Sequence, residues 1–377
     1  MITVWLVKIG IVLGVILTAC SYLIYIERKL SAYMQNRIGP NRVGPFGLLQ
    51  PLADGLKFIL KEDVVPLHCD RFLFFLAPAL AIVTTMLAFS VVPFGPTSSD
   101  PDEWQFVIAP GVDIGIVFIF AVGSLAVYSI ILGGWASNNK YSLLGALRSS
   151  AQVISYEIPL GTSILGVVLL SSSLNLEDII HFQADKGFWH WNLWTQPLAA
   201  LIFLTSALAE SNRLPFDLPE CEQELIGGYH TEYSAMKFAM FFLGEYTHVI
   251  TVSFLMSVLF LGGWHFPWIA EPGSTYGGAW VVKCAVLGSK VSSLIIFIML
   301  IRWTIPRFRF DQLMSLAWQG LVPLSFLNLA CVMFAKQFHW PAWTLTVLSL
   351  ALLIGAAGIN GALLQKRILG TTSLTRA

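Results

Sequence analysis

Nine stretches of this 377-residue chain are apolar over the length needed to cross the hydrocarbon core of a bilayer, about 30 Å or some 20 helical residues. They run near residues 3–26, 72–93, 112–134, 154–172, 196–210, 235–261, 281–303, 319–335 and 341–363, of which the fifth and eighth are short. The chain is therefore predicted to be all-α, a polytopic membrane helix bundle of about nine transmembrane helices. Composition agrees: 12% of residues are charged, roughly half of the share of about 25% in a soluble domain. No repeat or low-complexity linker interrupts the sequence, so residues 1–377 read as a single membrane domain. The first apolar stretch runs into Glu27-Arg28-Lys29 with no small-residue cleavage site, which marks a retained helix rather than a signal peptide.

Lysine and arginine in the loops set the orientation. The first loop carries Arg28, Lys29, Arg37, Arg42, Lys57, Lys61 and Arg71. Alternate later segments carry Lys140 and Arg148, then Arg213, then Arg307 and Arg309, and the tail carries Lys366, Arg367 and Arg376. The opposite loops, 94–111, 173–195 and 262–280, hold Lys186 and nothing else basic. The N-terminus is expected outside and the C-terminus in the cytoplasm, as an odd number of spans requires.

Within the first loop, residues 27–71, Pro45, Gly47 and Pro51 precede a helical pattern. Gln50, Asp54, Lys57 and Lys61 recur on one face, and Leu48, Leu52, Leu56 and Ile59 on the other. Such a helix is too short and too charged to span, and is predicted to lie in the membrane interface or to be an ordinary amphipathic connector.

Ionisable groups at or inside spans are costly, about 2.5–3.5 kcal/mol each at the centre of a helix. Glu157 is expected at the head of the fourth helix, Glu210 at the end of the fifth, Glu245 about three turns into the sixth and Lys290 midway along the seventh. Each one alone is accounted for by a local partner that supports packing; as a set they read as a proton relay. The loop over residues 210–234 is acidic and also apolar: Asp217, Glu220, Glu222, Glu224 and Glu232 share it with Pro215, Phe216, Leu218 and Pro219. Carboxylates so close titrate as a coupled set. Arg28, Arg37, Arg302, Arg307 and Arg309 are placed either to balance them or simply to set orientation. The five cysteines are scattered and the seven histidines show no ligand spacing, so no metal or iron–sulfur cluster is assigned. With zero net charge and no phosphate loop or nucleophile motif, nucleic acid and hydrolase chemistry are set aside.

These motifs resemble the H-type membrane subunits of proton-translocating NADH–quinone oxidoreductase, respiratory complex I, the family of the first mitochondrially encoded subunit. The resemblance is carried by Glu27-Arg28-Lys29 with Gln35, Arg37 and Gly39-Pro40, by the run from Gly44 to Lys57, and by Lys61-Glu62. It continues through Gly134–Tyr141, Arg148, Ala151–Glu157, Ala209–Tyr233, Glu245-Tyr246 and Pro306–Met314, and covers about residues 5–335.

The resemblance implies a subunit without a redox centre of its own, in an enzyme that is a translocase. Quinone is the substrate, and flavin and iron–sulfur clusters belong to partner subunits. Those partners would be the peripheral-arm subunits, including the one that shares the quinone site, together with small membrane subunits and antiporter-like subunits in the lipid bilayer. Carried over, Arg28, Arg37, Asp54 and Lys57 would line or brace a quinone entrance between the first and sixth helices and the interfacial helix. Arg213, Asp217, Arg302, Arg307 and Arg309 would border the quinone chamber, and Glu210, Glu220, Glu222, Glu224, Glu157 and Glu245 would form the proton path. The location implied is the bacterial cytoplasmic membrane. Two departures stand out: Cys221, where many relatives carry a small residue, and the extra span at 341–363. Two other readings compete. One is the membrane anchor of an energy-converting hydrogenase-type complex, whose members match these motifs more loosely. The other is a proton-coupled secondary transporter, which should show inverted repeats.

Overall fold

The computed structural model describes residues 2–96, 106–185, 187–217, 227–271 and 279–374. Glu220, Cys221, Glu222, Glu224 and Lys186 lie outside the described residues. In order, the helices are α1 (Ile2–Met34), α2 (Gln50–Leu60), α3 (Arg71–Ala88), α4 (Gly115–Ala136), α5 (Lys140–Ser171), α6 (Leu176–Asp185), α7 (Asn192–Thr195), α8 (Pro197–Glu210) and α9 (Ala235–Phe260). They continue with α10 (Ala279–Thr304), α11 (Phe310–Gln337) and α12 (Ala342–Leu374).

Seven of these, α1, α3, α4, α5, α9, α10 and α11, are long and apolar enough to cross a membrane. The apolar helices Pro197–Glu210 and Ala342–Gly358 are shorter and coincide with the fifth and ninth predicted stretches. The protein is an all-α polytopic membrane protein. Lipid offers no hydrogen bonds, so a helix is the form in which each apolar run satisfies its own backbone.

The fourth span differs from expectation at its start. The helix begins at Lys140, where the Asn139 side chain accepts from the Tyr141 N–H at 3.0 Å, so Lys140 and Arg148 stand on a helix and not in a loop. Ser142, Ser149 and Gln152 lower the hydropathy of this segment, yet all three are buried in the protein. The Gln152 amide donates to the Ala209 and Phe216 carbonyls at 2.8 Å each. Glu157 therefore sits near the middle of α5 rather than at its head, two residues before Pro159.

A single large core joins α1, α5, α8, α9 and α10 around Tyr156, Leu160, Phe203, Val252 and Leu287. The Tyr156 hydroxyl reaches across it to the Leu313 carbonyl, 3.0 Å away. In α11, residues Leu316–Leu321 form a π-helical segment just ahead of Pro323, and Trp318 there donates to Ser155 Oγ at 3.2 Å. A smaller cluster of Val332, Ala335 and Leu345 ties α11 to the start of α12.

The predicted amphipathic helix is present as α2. Leu52, Leu56, Ile59 and Leu60 are exposed along it, as expected of a helix lying against lipid. The preceding turn needs Gly47: it has φ +83°, and a Cβ there would collide with the Pro40 carbonyl oxygen.

Candidate functional site

Three polar zones adjoin α9. The first is a lateral cavity of about 160 Å³ between α1, α2 and α9. Its walls are mostly apolar, with Ile24, Phe58, Phe242 and Leu243 among them. Its polar edge is an ion pair, Arg28 Nη1 to Asp54 Oδ2 at 2.6 Å, and the Gln50 amide donates to the other Asp54 oxygen at 3.0 Å. The Tyr25 hydroxyl donates to the Phe46 carbonyl at 2.7 Å and holds the turn before α2 against α1. Arg37 and Lys57 do not line this cavity. Arg37 is exposed and donates to Gln35 at 2.7 Å, and Lys57 is exposed on α2.

The second zone is centred on Glu27, which is 7% exposed. Its carboxylate accepts from Arg213 at 3.3 Å, from the Tyr246 hydroxyl at 2.5 Å, and from Arg302. The Arg213 guanidinium also lies 4.1 Å over the Tyr246 ring. Burial opposes charge on Arg213, but Tyr246, Glu27 and Glu245 around it outweigh that effect and hold its pKa above the usual arginine value. This one cluster joins α1, α9, α10 and the segment after α8. Beside it, Arg307 donates to Asp217 Oδ2 at 3.0 Å, and Phe216 stacks on Phe308 with centroids 5.6 Å apart. The segments before α9 and before α11 are thereby strapped together. Arg309 pairs at 3.2 Å with Asp311, where both side chains are largely exposed.

The third zone runs into the bundle. A cavity of about 60 Å³ is lined by Glu210, Glu245, His248, Tyr229, Asn212 and Thr85, among others. A second, of about 30 Å³, shares Thr85, Gly123, Glu210 and His248 and continues to Thr251 and Phe203. Both exceed the 10–15 Å³ or so that one water requires. Tyr229 donates to Glu245 at 3.0 Å, His248 Nε2 lies 3.4 Å from Glu210, and the Ser124 hydroxyl donates to Glu157. Gly123 leaves the approach to Glu210 open, since a Cβ there would stand 3.9 Å from Oε1.

Lys290 stands apart from this row. Its ammonium donates to the carbonyls of Leu261, Gly263 and His265 at 2.6, 2.9 and 2.6 Å and sits 4.3 Å over the Trp191 ring. It closes the end of α9, which makes it a structural clamp. Glu27, Tyr246, Tyr229, Ser124 and His248 escaped the sequence reading as site residues. His248 carried a usable signal, being three residues after Glu245 and so on the same helical face. Among the described residues, no group of three or more His, Cys, Asp or Glu is gathered to hold a metal ion.

Fold and site together define a polytopic helical membrane protein with a row of largely buried carboxylates that runs from a lateral cavity into the bundle. A family model described as NADH dehydrogenase matches residues 7–333. The chain is similar to an H-type subunit (number 2) of NADH-quinone oxidoreductase from Koribacter versatilis (strain Ellin345), 48% identical over 343 residues, 86% of this chain and 94% of the relative. It is 46% identical to an H-type subunit (number 1) of the enzyme from Geobacter metallireducens, over 87% of this chain and 95% of the relative. It is 44% identical to NADH-quinone oxidoreductase subunit 8 of Rhodothermus marinus, over 85% and 94%. The chain belongs to this NADH dehydrogenase family, as the motif resemblance implied.

Proposed function

We propose that this chain is the H-type membrane subunit of a proton-translocating NADH–quinone oxidoreductase, forming one wall of the quinone chamber and coupling quinone reduction to proton movement. The observation that carries this reading is the continuity of the three zones. An apolar, lipid-facing cavity suits a hydrophobic quinone tail. Its inner end leads to the arginine-rich cluster around Glu27, and from Tyr246 the neighbouring Glu245 opens the row through His248 and Glu210 toward Glu157.

In this scheme the chain holds no redox centre. Flavin and iron–sulfur clusters sit in peripheral-arm partners, one of which completes the quinone site, while small membrane subunits and antiporter-like subunits continue the proton path. Arg28 and Asp54 frame the quinone entrance, with Arg37 and Lys57 on its outer rim. Arg213, Asp217, Arg302, Arg307 and Arg309 border the chamber, and Glu220, Glu222 and Glu224 extend its acidic edge. Charge that appears on the quinone biases protonation of Glu245, Glu210 and Glu157 through the field they share. The positive-inside count supports a bacterial cytoplasmic membrane location, with the N-terminus outside, residues 27–71 and 210–234 cytoplasmic, and 341–363 as a ninth span in one membrane domain.

The test is purification of the tagged chain in mild detergent. Recovery with flavin and iron–sulfur subunits and NADH–quinone activity supports the reading. A nickel–iron hydrogenase partner, or a lone protein that transports a solute, overturns it.

A further inference from the structure

We infer that the junction of α5, α11 and α12 binds the headgroup of an anionic, hydroxyl-bearing phospholipid of the phosphatidylglycerol class. A cavity of about 310 Å³ opens there, at the opposite end of the bundle from the Glu27 cluster and larger than any of the three cavities above. Lys336, His339 and His190 line it together with Asn192, Trp340 and Leu345, and no aspartate or glutamate is among its lining residues.

Lys336 is held in place by donating to the Leu169 carbonyl and to Ser172 Oγ at 2.8 Å, and an ammonium has a third N–H to give. Two imidazoles beside it add donors for a phosphate. Asn192 supplies the complementary need. It is 1% exposed and its amide donates to the Leu259 carbonyl at 2.8 Å, while its Oδ1 has no hydrogen-bond partner among the described residues. A buried acceptor of this kind calls for a hydroxyl donor, which a glycerol headgroup carries beside its phosphate. An ethanolamine headgroup would instead bring a second cation against Lys336.

The surroundings are those of a lipid. Trp189, Trp194, Phe338, Trp340 and Trp343 are exposed around this end of the bundle, the belt that aromatic rings form at a membrane surface. The small Val332, Ala335 and Leu345 cluster lies behind the cavity. Val347, Leu350 and Ile354 then present an exposed apolar track along α12 for the acyl chains. This inference is independent of the proposed function, because none of these residues belongs to the three polar zones.

The experiment uses the full chain, with whatever subunits it carries, exchanged into mixed vesicles of phosphatidylglycerol and phosphatidylethanolamine and then re-extracted. Bound lipid per chain is counted by mass spectrometry. K336Q/H339Q is expected to lower retained phosphatidylglycerol by roughly fivefold or more, at least the worth of one lost cation at an anionic surface. K336R should retain it, and H339Q alone, at an exposed position, should give a smaller loss in a chain that still folds. Equal phosphatidylglycerol retention by the wild type, H339Q and K336Q/H339Q overturns the inference, as does equal retention of phosphatidylethanolamine by the wild type. Complete displacement of the lipid by excess inorganic phosphate also overturns it, reducing the cavity to a free-anion site.

Discussion

Glu27 is buried and Glu210 nearly so in the same bundle, and their neighbourhoods are opposites. Glu27 is met by two guanidiniums and a phenol, drawn from three other parts of the chain. Glu210 faces an imidazole, and Glu157 a serine hydroxyl; among the described residues neither has a lysine or arginine within ion-pair distance. Glu210 borders two cavities with room for water. A carboxylate matched by fixed cations is a joint: its charge has no cause to leave, and removing it strands the largely buried Arg213. A carboxylate beside a hydroxyl or an imidazole, with space for water, has neighbours that both give and take a proton. On the proposed function, the position of the fixed cations sorts these glutamates into those that hold the bundle and those that would serve proton traffic through it.

The sharpest way to break this comparison is E27A. Stranding Arg213, whose side chain is only 16% exposed, should destabilise the protein by about 3–5 kcal/mol, read as loss of the chain from the purified complex and a lower unfolding midpoint. Normal yield and midpoint would show that Glu27 is no joint. E210Q and E157Q should assemble normally yet lose proton pumping per NADH oxidised, by roughly tenfold or more if each transfers protons directly. Normal pumping in both would place the traffic elsewhere. H248N keeps a polar side chain at the cavity wall and removes a titrating one; its expected loss is smaller, about threefold to tenfold, with the unfolding midpoint unchanged. D54A opens the lateral cavity's ion pair, which is partly solvent-exposed, so the KM for quinone should rise by a factor of about 2–5 with little change at saturation. R309A removes an exposed pair and should stay within about 0.5 kcal/mol of wild type; a larger effect would give Arg309 a place in the joint.

The sequence made the helices legible because lipid penalises charge and rewards long apolar runs, and this signal is local. The amphipathic helix α2 was legible for the same reason, through the split of Asp54 and Lys57 from Leu52 and Leu56. The start of α5 was hidden. Ser142, Ser149 and Gln152 look like loop residues in a hydropathy window, and only their burial against other segments makes them helical interior. Glu210 and Glu245 could be picked out as charges inside apolar stretches, and the structure brings both to one cavity. Glu27 looked like part of a charged flank, because what buries it arrives from residues 213, 246 and 302. No pattern read along the chain contains that information. Lys290 shows the converse: its charge was visible, while its three carbonyl partners were not.

The spacing of the Glu27 cluster also has a consequence in time. Glu27 and Arg302 are 275 residues apart, and at about 5–20 residues per second of synthesis the glutamate waits on the order of 15–55 s for its last partner. Until residue 213 is made, α1 carries an unmatched acid near its end. Arg213 reaches it first and Arg302 last, so the cluster closes only once α10 has been delivered, late in the making of the chain.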